Sequence, residues 1–198
     1  MFIELRRYAL HPGAREDLIS LFDREFVESQ EAVGAVVLGQ FRDLGDPDSF
    51  VWLRGFADMK TRRAALEAFY GGPVWTRHRR EANRTMTAWD DVLLLRPVTP
   101  FTPDTATRPA PGSPEPDQTL LNLTIRYADA PFDRVPEAPS SLLTLVSADE
   151  ENDFPALPVR TGENVAAVLS RDPFDADSLP PGRTERLRLT PTGRSWLR

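Results

Sequence analysis

At 198 residues the chain is long enough to bury one good core or two small ones, and its formal charge of −6 argues against generic binding of nucleic acid or anionic membranes. It has no cysteine, which excludes disulfides, thiolate chemistry, iron–sulfur clusters and cysteine-held zinc, and Lys60 is its only lysine, which argues against Schiff-base chemistry. No apolar run approaches the roughly 20 residues that cross a bilayer, and Met1 leads straight into a strand pattern, so neither a membrane span nor a signal peptide is expected and the chain reads as a cytoplasmic bacterial protein.

Residues 2–10 alternate Ile3 and Leu5 with Glu4, Arg6 and Tyr8, the period-two signal of a strand, which His11-Pro12-Gly13 ends. Leu18, Ile19, Phe22 and Phe26 then fall on one side of a 3.6-residue wheel and predict an amphipathic helix over roughly 13–31. Two strands near 36–44 and 49–57, joined by Gly45-Asp46-Pro47-Asp48, should pair as a hairpin. Asp58 is placed to cap a second helix carrying Met59, Leu66, Phe69 and Tyr70; Gly71-Gly72-Pro73 breaks it, and a further helical stretch runs from about 74 to 88. Asp91 to Arg96 closes the pattern as a buried strand. Two β-α-β halves in one unit make the ferredoxin-like arrangement over residues 1–98.

Seven prolines between Pro97 and Pro116 then mark residues 99–118 as an extended linker that holds the next unit at a distance. Residues 119–198 echo the first unit in order. Arg7-Tyr8-Ala9 returns as Arg126-Tyr127-Ala128, Phe50 to Arg54 as Asn164 to Arg171, and Asp91 to Pro97 as Glu185 to Pro191. Where the first unit has helices, the second has only the short, proline-bearing stretches 131–136 and 172–183. Strands are expected at about 120–128, 141–148, 163–171 and 185–190, a second copy that is mostly β with its helices lost. A bare four-stranded sheet cannot bury both faces in water, so the two sheets should lie face to face as an α+β barrel drawn from one chain. The missing helices also leave apolar positions on the second sheet uncovered, from which a homodimer is expected.

The blocks Glu4-Leu5-Arg6-Arg7-Tyr8-Ala9-Leu10-His11-Pro12-Gly13, Gln40-Phe41-Arg42-Asp43, Phe50-Val51-Trp52-Leu53-Arg54-Gly55-Phe56 and Phe69-Tyr70-Gly71-Gly72-Pro73-Val74-Trp75, followed by His78, Asn83 and Met86, occur in one order over about residues 2–97. In these blocks the chain resembles the NIPSNAP family. The resemblance implies the dimeric α+β barrel group, which also holds antibiotic-biosynthesis monooxygenases and heme-degrading enzymes, and it implies a tandem copy in a bacterial member. It brings no catalytic residue set. Where many members of the family carry a histidine and a tryptophan on the third strand, this chain has Trp52 and Arg54.

Candidate chemistry gathers in two places. On the helix that begins near Val74, Trp75, His78, Ala82 and Met86 share a face. Heme-degrading relatives use a late-helix histidine as axial ligand, so His78 beside Trp75 admits that role, against a structural role as a hydrogen-bonded, half-buried residue. Glu4, Arg6 and Tyr8 share one strand face and Trp52, Arg54 and Phe56 another. If these coincide, aromatic walls could hold an apolar body while Arg6 or Arg54 fixes an anionic or carbonyl group, or the same residues could simply pack the two sheets together. That face is assigned to the barrel interior, with Glu4 the leading partner for Arg54. Two histidines without a surrounding cluster imply no metal site, no cofactor is expected, and the acidic stretch Asp149-Glu150-Glu151-Asn152-Asp153 reads as a solvated loop. The function expected is binding of a small apolar or aromatic ligand at the barrel sheet by Arg6, Tyr8, Trp52, Arg54, Tyr70, Trp75 and His78. A monooxygenase-like enzyme, cofactor-independent or heme-dependent, and a structural or protein-interaction module are the alternatives.

Overall fold

The computed structural model describes residues 1–116, 119–132, 134–136 and 138–198. Strands β1 (Phe2–Leu10), β2 (Val36–Asp43), β3 (Ser49–Phe56) and β4 (Met86–Pro97) pair antiparallel in the order β4-β1-β3-β2, and β5 (Leu121–Ala128), β6 (Ser141–Ser147), β7 (Asn164–Ser170) and β8 (Arg183–Pro191) in the order β8-β5-β7-β6. The two sheets join at both margins, Arg42 opposite Thr190 and Arg96 opposite Val146, so eight strands close into one barrel. Closure uses up the strand edges that would otherwise invite pairing with another chain.

Alternation sets two faces. Ile3, Leu5, Val51, Leu53, Leu93 and Leu95 point inward and meet Leu121, Leu123, Ile125, Leu145 and Leu169 of the other sheet in one continuous core. Their neighbours Glu4, Arg6, Tyr8, Trp52, Arg54 and Phe56 therefore point outward, under the helices, and not into the barrel as expected. The register brings them together as anticipated, with Glu4 opposite Arg54, Arg6 opposite Trp52 and Tyr8 opposite Phe50. The interior assignment failed because both faces of this sheet are buried, which removes the polar–apolar contrast that marks an inside.

The helices cover the first sheet only. The segment expected as one helix is α1 (Arg15–Leu21), a π-helical turn (Phe22–Phe26) and α2 (Val27–Glu31). Asp58 caps α3 (Met59–Tyr70), its carboxylate accepting from the Thr61 amide at 2.6 Å. A Cβ on Gly72 would stand 2.7 Å from the Ala68 carbonyl oxygen, so glycine is what lets the chain fold back there into α4 (Pro73–Thr85). That helix ends at Thr85, three residues before the expected boundary, and β4 begins at Met86, not Asp91, because Met86 and Ala88 pair with Leu10 and Ala9 across a bulge.

Among the described residues no α-helix follows Thr85. Val135, Phe174 and Leu179 from the two irregular connections instead lie on Val146, Ala166 and Val168, so the outer face expected to be bare is covered by coil. Of the stretch 131–136, Asp133 lies outside the described residues. The proline-rich segment is not a free spacer. Arg108 donates to the Glu31 carboxylate at 2.5 Å and to the Arg194 carbonyl at 3.0 Å, and Phe101 stacks on Trp196. Residues 117 and 118 of that segment lie outside the described residues.

Candidate functional site

The space between the first sheet and its helices is walled by aromatic rings. Tyr8 and Trp52 rise from the sheet, their centroids 5.9 Å apart and edge to face. Phe22 and Phe26 descend from the π-helical turn, 5.9 Å apart at 86°, a widening of the helix of the kind that recurs at functional sites. Tyr70 ends α3 and Trp75 opens α4, 4.9 Å apart, brought together by the fold-back at Gly72. Each ring adds a large apolar surface, and edge-to-face pairs are favoured over flat sandwiches.

Two adjoining hollows result, both bounded by Tyr8, Tyr70, Trp75 and Met86. The inner one, about 30 Å³ and so no larger than a water or two, reaches Leu18, Phe22, Phe26 and Trp52. The outer one, about 240 Å³ and open to solvent at its mouth, is bounded by Arg6, Asn83 and Trp89, and by Phe154, Ala156 and Leu157 from the β6–β7 connection. The second half of the chain thus supplies one wall of a site built on the first. Phe154 stacks on Tyr70 at 6.3 Å to make that wall.

Beneath the hollows lies a buried charge cluster. Glu4 is fully buried and accepts from Arg6 Nη1 and Arg54 Nε, both at 2.7 Å to Oε2, and from Arg62 Nε at 2.8 Å to Oε1. Burial alone would push the Glu4 carboxyl up, yet Arg54, Arg6 and Arg62 overcome that and hold it well below the usual carboxylate range. Arg54 also donates to Gln30 Oε1 at 2.9 Å and lies over the Trp52 ring. Arg62 reaches Asn152 Oδ1 at 3.0 Å and Asp153 Oδ1 at 2.6 Å. Arg6 Nε donates to the Tyr8 hydroxyl at 3.0 Å.

Of the residues expected from sequence, Arg6, Tyr8, Trp52, Tyr70 and Trp75 line the hollows. Arg54 sits below them and meets Glu4, the partner anticipated for it. His78 does not face the hollows; its Nδ1 and Nε2 stand 3.4 Å from Glu81 and 3.6 Å from Glu25 on the outer surface. Sequence reasoning missed Arg62, the Asn152–Asp153 pair that holds it, and the Phe154 wall. Arg62 had a signal: it lies four and seven residues before Leu66 and Phe69, an arginine on a buried helix stripe. The Asn152–Asp153 pair had none, since it comes from a loop about 90 residues away in sequence. Among the described residues no group of three or more histidine, cysteine or acidic side chains could hold a metal ion. Nor is any helix there long and apolar enough to cross a membrane.

The NIPSNAP family model matches residues 3–102. An uncharacterized NIPSNAP domain protein from Burkholderia xenovorans is 22% identical, over 52% of this chain and 100% of its own, with a TM-score of 0.46. A NIPSNAP-like domain protein from the same organism is 24% identical over 52% of this chain and 90% of its own, with a TM-score of 0.47. A putative monooxygenase from Fusobacterium nucleatum is 9% identical but aligns over 96% of this chain and 92% of its own, with a TM-score of 0.57, a likeness of fold that extends across both halves. No curated protein matches the chain.

Proposed function

Because the chain belongs to the NIPSNAP family, whose matched region carries the helices and the first sheet, we propose that it binds a small apolar or aromatic molecule in the space between them. The observation that carries this reading is the pair of adjoining, aromatic-walled hollows on the outer face of the first sheet, in a protein whose barrel interior is a continuous apolar core. Ligand sites are mostly apolar concavities with a few converging polar groups, and Arg6, Tyr8 and Asn83 are the polar groups here. A cytoplasmic, bacterial setting belongs to the same reading, supported by the cysteine-free, arginine-rich composition.

The strand order supports a further element of this reading, that residues 119–198 are a degenerate second copy of residues 1–98. Each half runs fourth–first–third–second across its sheet. That copy, which has no α-helix among the described residues, then serves the first by closing its barrel and by lending Phe154 and Leu157 to the pocket.

Methyl NMR with naphthamide, a neutral aromatic probe, tests the site. Expected are shifts at Met86, Ala156 and Leu157, which border the outer hollow, with Leu123 and Leu145 of the barrel interior unmoved. No shift, or shifts centred on Leu123 and Leu145, would overturn the reading.

A further inference from the structure

We propose that the ligand of this pocket is an anion, an aromatic carboxylate or phenolate whose charged oxygen pairs with the Arg6 guanidinium; this rests on the pocket reading above. Arg6, Arg54 and Arg62 are at most 1% exposed, and the carboxylates that meet them are Glu4, fully buried, and Asp153, whose side chain is 26% exposed. Three guanidiniums against two carboxylates leave one positive charge in excess. An unpaired buried charge is among the costliest arrangements in a folded protein, so an arrangement of this kind calls for a counter-ion.

The three arginines are not equivalent. Arg54 is committed to Glu4 and Gln30, and Arg62 to Glu4, Asn152 and Asp153. Arg6 shares Glu4 Oε2 with Arg54 and is the one of the three that lines the outer hollow. The excess charge therefore reaches the open space at Arg6.

Hydrogen bonding points the same way. Tyr8 accepts from Arg6 Nε through its oxygen, and burial holds its hydroxyl above the usual phenol range, so it keeps its own proton to donate. Trp52, which lines the inner hollow, has a buried Nε1–H with no partner. The acceptors on the same wall are already taken: Gln30 Oε1 by Arg54, and both Glu4 oxygens by guanidiniums. The sheet side of the pocket, where Arg6, Tyr8 and Trp52 offer donors and the carboxylate and amide oxygens are taken, suits a ligand that brings negative oxygen, with the Asn83 amide facing it from α4. The aromatic rings around it fit a flat hydrocarbon body behind that group.

Exposed charge outside the pocket reinforces this. On α4, Trp75, Arg79 and Asn83 follow one another at four-residue spacing, which places exposed Arg79 in line with two residues that bound the outer hollow. Arg80 and Arg84, also exposed, flank that line. In a chain of net charge −6, this local basic helix would draw an anion to the mouth against the field of the whole protein.

The test compares naphthoate with naphthamide, an acid and its neutral counterpart of the same shape, by titration of tryptophan fluorescence; Trp52, Trp75 and Trp89 bound the two hollows. Naphthoate should bind at least tenfold more tightly. Arg6→Gln should erase that preference while naphthamide binding persists, and Tyr8→Phe should reduce it. If Arg6→Gln does not fold, nitrophenol with the unaltered protein decides the matter: its ionisation, read by absorbance, should move to lower pH on binding. Equal affinity for naphthoate and naphthamide, an unshifted nitrophenol titration, or a folded Arg6→Gln that still prefers the acid would each overturn the anion assignment and leave the pocket standing. Failure of both naphthyl probes to bind would remove the pocket reading itself.

Discussion

Replacing Glu4 with glutamine should cost the protein most of its stability. Glu4 accepts three charge-assisted hydrogen bonds of 2.7–2.8 Å from three guanidiniums that are each at most 1% exposed. Glutamine keeps the shape but offers one carbonyl oxygen in place of two charged ones, and it turns an amide donor toward groups that only donate. Removing one partner of a buried pair costs about 3–5 kcal/mol, and here one change leaves Arg6 and Arg54 without a carboxylate and Arg62 with Asp153 alone, so a loss of about 5 kcal/mol or more is expected. That equals the lower end of total stability for a domain, roughly 5–15 kcal/mol, so Glu4→Gln should be unfolded or nearly so at room temperature. Urea unfolding followed by tryptophan fluorescence measures the effect. The pH dependence gives a second check. A carboxyl whose folded pKa is depressed contributes stability that is present above its unfolded value, near 4.5, and is lost as pH falls toward the folded one. The gap between parent and variant should therefore be constant from pH 6 to 8 and narrow below about 4.5. A loss under about 1 kcal/mol at pH 7 would refute the account, since only a hydrated cluster could tolerate the change so cheaply.

Arg54→Ala should cost less, on the order of 3 kcal/mol, because Glu4 keeps Arg6 and Arg62; the same urea titration checks it, and no change in midpoint would mean that Arg54 carries no weight in the cluster. Burial pushes the Asp23 carboxyl up to about 6. A raised carboxyl contributes stability that is full below its unfolded value and lost as pH rises through the folded one, so charged Asp23 is a liability at neutral pH. Asp23→Asn, which still accepts from Gln40 Nε2, should raise the melting temperature at pH 8 and give no gain near pH 4; an equal gain at both would exclude the charge as the cause. Hemin should give no Soret shift at micromolar protein, since both ring nitrogens of His78 face surface carboxylates, and a shift abolished by His78→Ala would contradict this. Coil over the second sheet and closure of the barrel remove the reason for which a dimer was expected, so light scattering should return the mass of one chain, 22.2 kDa; twice that mass would mean that copies pair through another surface.

Much of the architecture was legible because it is written in short-range patterns. Period-two alternation placed the first strand, the Gly45-Asp46-Pro47-Asp48 turn the next two, the apolar run at Val92–Leu95 the fourth and the echoes of the first half the rest, while the 3.6-residue stripe with its Asp58 cap and Gly71-Gly72-Pro73 break placed the helices of the first half. Boundaries failed where pairing overrode local preference, as at Met86. The same alternation put Glu4, Arg6 and Tyr8 on one face and Trp52 and Arg54 on the facing strand. Of the five named residues that border the hollows, Arg6, Tyr8 and Trp52 do so for that reason, and Tyr70 and Trp75 because they flank the Gly71-Gly72 break between two helices. His78 was misplaced because helical spacing names a stripe without saying how the helix is rolled, and Glu25 and Glu81 hold the imidazole outside.

Tertiary structure alone decided which face of the sheet is inside. A strand buried on both sides gives the same sequence signal whichever way it is turned, and only the arrival of the second sheet at the Ile3–Leu5 face sent the charged and aromatic residues beneath the helices. It also decided that irregular chain could do a helix's work over Val146, Ala166 and Val168, since covering an apolar face needs only contact, whatever the backbone that supplies it. The site was completed in the same way. Arg62 reaches Glu4, Asn152 and Asp153 reach Arg62, and Phe154 reaches Tyr70, all across long stretches of chain, and no local pattern encodes a contact whose partners meet only when the barrel closes. What the sequence determined by itself was therefore the set of elements and the sharing of faces, which depend on neighbours along the chain. What folding added was the choice of inside, the excess buried charge and the pocket above it, which depend on neighbours in space.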